Sequence, residues 1–305
     1  MVKNVINFIL LMFLSFSSFG KIRYFVIDSS GNNSKIIVNQ FTLDCSHLYA
    51  IDKKVELINV LSDTTNIRMT DPLWGHNILI LFTILPSFDK NDSLWEEIDS
   101  DINKYDLISY EELIVLGKNT LSDPLNPLFP RENFNVIIKR KNKYFKSKKA
   151  FIQFFHLQNL PRELNTPIGT ININQSIFSI KDAKQVFSPY VGLRNIFSSF
   201  DTYDIISPGI ERFYLSKIYN LKSHKVYQFW TLTSWRKIHD DLSWYRGVDR
   251  FAYIPRLGIV GASIDFFFKD PLPKEYPRQD RRNVSYKELL TNISEEKIMI
   301  AEELK

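Results

Sequence analysis

Residues Ile78 to Pro86 read Ile-Leu-Ile-Leu-Phe-Thr-Ile-Leu-Pro, almost wholly apolar. This is the longest apolar run after the first twenty residues. Crossing a bilayer as a helix takes about 20 apolar residues, so the run is too short for that. Its length suits a buried β-strand. The regular alternations of an outer-membrane barrel, each about ten residues long, are not seen either. The chain after residue 20 therefore reads as a soluble domain built on buried strands. Composition agrees. Glycine is scarce at 10 residues, while Phe and Tyr number 24 and 14. Large aromatics give a substantial core, and aromatic and β-branched residues favour strands.

The first twenty residues differ in kind. Lys3 supplies a cation, an apolar core runs from Val5 to Leu14, and Ser18-Phe19-Gly20 places small residues before Lys21. This three-part layout predicts a cleavable secretory signal over residues 1–20. The alternative is a membrane anchor, for which the apolar core is short. An exported chain with Cys45 as its single cysteine forms no internal disulfide, so its core alone must hold it. Cys45 is expected to be buried or paired between chains. Asn-x-Ser triplets occur at Asn32, Asn91, Asn174, Asn283 and Asn292, and they matter only where the host glycosylates.

Turn chemistry and periodicity divide the rest. Strand patterns at 22–28 and 35–43 flank the cluster Ser29-Ser30-Gly31-Asn32-Asn33-Ser34, which predicts an opening β-hairpin. Further strands are expected at 55–61 and 78–85. Ser93 with Glu96, and Ser109 with Glu112, both fit a capping box, so short helices are expected from Leu94 and from Tyr110. Pro124, Pro127 and Pro130 then mark a boundary. Strands are expected again at 133–138, 149–155, 169–180, 211–219, 226–233, 251–253 and 257–268. Asn220 to Lys225 is expected to turn a hairpin. Pro271, Pro273 and Pro277 open an extended tail. A final helix is expected from Ser285. Its stripe is Tyr286, Leu289, Leu290, Ile293, Ile300, Ala301 and Leu304.

The fold expected is thus α+β, mainly antiparallel sheet, with a short helical insertion and a C-terminal helix. It divides into the signal at 1–20, a β-rich part at 21–92, a helical insertion with its Pro-rich boundary at 93–129, a main β-rich domain at 130–270, and the tail with its helix at 271–305.

Four stretches carry chemistry. Lys139 to Lys149 holds seven cations in eleven positions. Such a run can contact an anionic surface or polymer, or it is the solvated tip of a hairpin. Trp235 to Arg246 gathers aromatics, cations, His239, Asp240 and Asp241. His239 with a carboxylate can act as a general base, and Trp235, Trp244 and Tyr245 can stack on rings. The bland alternative is an amphipathic helix or loop laid over the sheet. Cys45 and His47 would share a face on a strand, giving two metal ligands at most. Among His47, His76, His156, His224 and His239 no His-x-x-x-His pair occurs.

Asp101 to Glu112 reads Asp-Ile-Asn-Lys-Tyr-Asp-Leu-Ile-Ser-Tyr-Glu-Glu and resembles an EF-hand calcium loop over those twelve residues. Asp101, Asn103, Ser109 and Glu112 match oxygen positions, and Ile108 matches the apolar one. Tyr105 stands where an oxygen ligand belongs, and Asp106 where glycine makes the sharp turn. Ordinary capping explains the same letters.

No Gly-x-Ser-x-Gly, P-loop or dinucleotide fingerprint is present. Sequence alone assigns no catalytic residue and no metal ligand. The expected function is an exported, non-catalytic binding or assembly protein of the cell envelope or extracellular space. Its partners would be proteins or further copies of itself. No cofactor and no specific nucleic acid are expected. The alternative is a secreted hydrolase acting on an envelope polymer through His239 with Asp240 or Asp241.

Overall fold

A computed structural model of the chain describes residues 22–28, 36–63, 78–88, 94–99, 101–122, 134–148, 150–159, 161–167, 169–187, 212–231, 236–238, 243–245, 249–264 and 286–305. Of these residues 54% are strand and 20% helix, so the fold is β-rich α+β, and no described sheet closes into a barrel. The expected signal, the Pro-rich boundary at 123–130, the tail prolines and Ser285 lie outside the described residues.

Three sheets stack in layers. The middle sheet has the order β11(Thr170–Asn172)–β9(Phe151–Gln158)–β4(Ile78–Pro86)–β3(Lys54–Asp63)–β2(Ile36–Asp44). Side chains alternate across a strand, and here both sets are apolar. Ile80, Phe82 and Ile84 of β4 enter a first core, with Leu57 and Leu61 of β3 and Phe155 of β9. Leu79, Leu81 and Leu85 enter a second core, with Ile58, Val60, Ile152 and Phe154. The middle sheet is thus buried on both faces. Each such side chain contributes roughly 1.5–3 kcal/mol on burial.

The first core is closed by an antiparallel sheet. Its order is β10(Thr166–Pro167)–β12(Arg212–Leu221)–β13(His224–Thr231)–β16(Arg250–Ile254)–β17(Gly258–Ala262)–β18(Met299–Ile300). Phe213, Phe229 and Phe251 face Phe155 across it. The second core is closed by a mixed sheet, β5(Trp95–Ile98)–β8(Lys143–Ser147)–β7(Phe134–Arg140)–β1(Arg23–Asp28)–β6(Asp106–Leu107). Strands before residue 93 and after residue 130 therefore share two sheets.

Four helices complete the described fold: α1(Ser46–Tyr49), α2(Tyr110–Leu121), α3(Ile180–Phe187) and α4(Tyr286–Ser294). Ser109 and Glu112 close a capping box at the start of α2. Gly117 lets α2 approach the middle sheet, because a Cβ there would lie 2.6 Å from Leu79 and 2.9 Å from Phe154. Helices α3 and α4 lie over the outer face of the antiparallel sheet, where Tyr214 and Trp230 stack at 4.5 Å beside Phe178, Ile180, Ala183 and Ile293.

Polar ties cross between layers. Asn59 of β3 is fully buried and points into the first core. Its Nδ2 donates to the Ile259 carbonyl at 2.8 Å, and its Oδ1 accepts the Ile259 N–H at 2.9 Å. One amide side chain thereby pairs with β17 as a strand would. Gly258 makes this possible: its φ is +88°, and a Cβ there would lie only 2.6 Å from Asn59 Oδ1. In the second core Glu56 binds Arg140 of β7 and accepts from the Phe88 N–H at 3.0 Å.

Three expectations are corrected. Residues 22–28 and 36–44 are not a hairpin, because β1 joins β6 and β7 in parallel while β2 joins the middle sheet. Phe25 and Ile27 need the second core, and Tyr24 packs on the opposite face with Tyr105. β9 and β11 also pair in parallel. Residues 95–98 form a strand instead of a helix, because Glu96 and Glu97 pair with Lys146 and Lys143 across β8. The strand expected at 169–180 ends at Asn172, and α3 begins at Ile180.

The last helix ends at Ser294. Glu296 adopts φ 54°, and the Lys297 N–H bonds back to the Asn292 carbonyl at 2.8 Å, closing the helix through a left-handed residue. The chain then pairs with the edge of β17 as β18, and Ala301 and Leu304 enter the first core.

Replacing Asn59 by Ala strands the Ile259 N–H and C=O in the core. The expected loss is roughly 2–4 kcal/mol, read as a lower urea midpoint with an unchanged slope. Gly258→Ala should weaken the same contact through its left-handed backbone and the approach to Asn59.

Candidate functional site

The stretch Trp235 to Arg246 lies between β13 and β16. These strands are antiparallel neighbours with Trp230 opposite Arg250, and the Thr231 N–H bonds the Asp249 carbonyl at 2.9 Å. Beyond them β14(Arg236–Ile238) and β15(Ser243–Tyr245) pair as a two-stranded ribbon. Residues 236–238 and 243–245 are thus strand, not the helix or loop of the bland alternative. Arg236 stands opposite Tyr245, Lys237 opposite Trp244, and Ile238 opposite Ser243. Trp235, His239, Asp240, Asp241 and Arg246 lie outside the described residues.

At the foot of the ribbon sits a buried polar cluster that sequence reasoning missed. Ser216 is the extra residue where the β12–β13 register shifts between Leu215 and Lys217. A bulge re-aims a side chain, and here the Ser216 hydroxyl donates to the Glu296 carboxylate. The Ile180 N–H at the start of α3 donates to the other oxygen at 2.6 Å. The Gln228 amide donates to the Glu296 carbonyl at 2.7 Å, and Arg250 Nε donates to the Lys297 carbonyl at 3.1 Å. Arg250 is 1% exposed and Glu296 7%. Burial holds the Glu296 carboxyl above its ordinary value, opposed by the Ile180 N–H and by the charges of Lys217 and Arg250, with Asp182 adding to the rise. The cluster joins β12, β13, β16, α3 and the turn after α4. Its visible signal was a polar residue inside each apolar strand, Ser216 and Gln228, without anything to say that they meet.

Chemically, Glu296 can hold a proton, and both of its oxygens already accept hydrogen bonds. That arrangement ties elements together. No group of three or more His, Cys, Asp or Glu side chains able to hold a metal occurs among the described residues.

The other singled-out residues separate. In the basic run, Lys139 pairs with Asp28 at 2.7 Å, Arg140 with Glu56, Lys143 with Glu97 at 2.8 Å and Lys146 with Glu96 at 3.2 Å. Lys141 and Asn142 make the β7–β8 turn, both at positive φ. The run therefore extends along a hairpin, four of its seven cations are paired with carboxylates, and Lys149 lies outside the described residues.

In the calcium-like stretch, Asp106 lies in β6 within 3.6 Å of Arg23, and Tyr105 packs edge-on against Tyr24. Glu112 takes Arg23 at 2.7 Å and the Ser109 N–H at 2.9 Å. The Ser109 N–H and Arg23 hold the Glu112 carboxyl down at about 2. The residues at the two departures from the calcium pattern thus set the path of the stretch. Its oxygens serve Arg23, Lys104 and the cap of α2.

Cys45 and His47 do not share a face. They fall at a one-turn helix, with Cys45 fully buried and His47 exposed, because two residues turn about 200° on a helix instead of a full alternation. Burial pushes the Cys45 thiol up to about 12. His156 is also drawn inward, with Nε2 3.0 Å from Thr170 Oγ1, and burial lowers it to about 4.

Compared with protein-family models, curated proteins and solved structures, the chain matches none.

Two outcomes are expected. A folded-state carboxyl raised by burial contributes stability that is complete below the ordinary carboxyl range and lost as pH rises through the raised value. Glu296→Gln, which cannot ionise yet keeps an acceptor for Ile180 and a donor for Ser216, should therefore raise the thermal midpoint by a few degrees at pH 8. The gain should vanish towards pH 4. Separately, Cys45 should resist thiol alkylation in the native protein and react once urea opens the first core.

Proposed function

We propose that this chain is an exported, non-catalytic protein that binds or assembles with protein partners at the cell envelope or outside the cell. The observation that carries this reading is the β14–β15 ribbon. A two-stranded ribbon separate from the three stacked sheets, with cations standing opposite aromatics in its register, is made of residue types enriched in protein interfaces, Arg, Trp and Tyr above all. The leader-like pattern at residues 1–20 supports export. The buried ionisable groups described here support it from the other side. Glu56, Arg250 and Glu296 bond across elements and hold layers together. The paired cations of Lys139 to Lys146 make the basic hairpin a weaker anchor for an anionic polymer than the ribbon is for a protein.

The test is a mild cross-linking pull-down from the native host, using the intact chain, a Lys237→Ala/Trp244→Ala double variant and His239→Ala. A defined partner set held by the intact chain and by His239→Ala, and lost by the double variant, is the expected result. An unchanged set with the double variant overturns the role of the ribbon. An empty pull-down together with a polymer-degrading activity that His239→Ala abolishes replaces this reading with the hydrolase.

A further inference from the structure

We propose that residues Ile36 to Gln40 of β2 form a self-pairing edge, at which two copies of this chain join their middle sheets antiparallel about a two-fold axis at Val38. This deepens the assembly reading above and rests on it, with a second copy of the chain as the partner.

Strand β2 ends the middle sheet and pairs with β3 through nine uninterrupted positions. In such a strand the N–H and C=O of alternate residues face the same edge. The Thr42 N–H faces outward, because the Glu303 carboxylate accepts it at 3.0 and 3.1 Å. Ile36, Val38 and Gln40 share its parity and present their backbone groups to the same side. The C-terminal half of β2 is covered by this contact, and Phe41 and Leu43 are buried. The N-terminal half is covered by nothing comparable among the described residues, and Ile37 is 56% exposed.

Edges in folded proteins are blunted by charge, proline, bulges or shortness. The other described edges follow that rule. β6 and β18 are two residues long, β10 is two residues ending in Pro167, β11 is three residues, and β5 carries Glu96 and Glu97. Ile36-Ile37-Val38-Asn39-Gln40 has no charge, no proline, no glycine and no register break.

The occupant follows from the chemistry of this stretch. With Val38 on the axis, Val38 meets Val38 and exchanges two backbone bonds. Ile36 then meets Gln40, and Ile37 meets Asn39. No like charges oppose one another, and the match is the same from either copy, as an isologous interface requires. Ile36 and Val38 already pack on the rim of the second core, so pairing continues that core across the axis.

The experiment is sedimentation velocity on the full chain over a dilution series, alongside Val38→Pro and Ile37→Lys. Proline at 38 removes an outward N–H and no bond to β3. Lysine at 37 places a charge on an exposed position, and it keeps the test intact if Val38→Pro does not fold. The expected result is a dimer that dissociates on dilution, weakened at least about tenfold by either folded variant. A monomer at about 100 µM, or a dimer that neither variant weakens, overturns the proposal. The pull-down separates the two ideas. Partners recovered by a strictly monomeric chain leave the assembly reading standing and remove self-pairing alone.

Discussion

A sheet buried on both faces governs this structure. Any strand placed in the middle layer must present apolar side chains in both alternating sets, since either set left polar would face a core without water. β4 satisfies this almost throughout, and β3 and β9 nearly so. The two outer sheets then need only one buried face towards the middle, and their outer faces are free to carry helices or polar groups. α3 and α4 take one of them, while the other carries Tyr24, Ile137 and the Lys146–Glu96 pair.

The exceptions to that apolar rule are what fix the layers relative to one another. Dispersion and burial hold sheets together without choosing one register between them. A buried hydrogen bond does choose, because a misplacement leaves its groups unpaired. Asn59 sets the middle sheet against β17, Glu56 sets it against β7, and Glu296 sets the turn after α4 against Ser216 and α3. The last ten residues extend the same logic. They supply β18, bury Leu304, cap Thr42 with Glu303 and pair Glu302 with Lys54. The C-terminal segment thus bridges two sheets.

The same edge logic links fold to surface. Where β2 is covered by Glu303, its outward amide is satisfied. Where that cover stops, a flat uncharged edge begins. The ribbon of β14 and β15 differs, being a two-stranded sheet of its own whose chain neighbours on either side are β13 and β16.

Local order was legible where local forces decide it. The run at 78–86 declared a buried strand, the β12–β13 hairpin turned where expected, and Ser109 with Glu112 capped α2. These follow from periodicity, turn residues and capping, all written within a few neighbouring residues. The candidate site was legible only in part. The ribbon stretch stood out by its residue types, but the Ser216–Gln228–Arg250–Glu296 cluster did not, because its members are far apart in sequence. Tertiary structure alone decided that β1 joins β7 instead of β2, that Trp95–Ile98 is a strand and not a helix, and that the last helix yields to β18. In each case a local preference worth about 1 kcal/mol was outweighed by pairing and burial with residues distant in the chain.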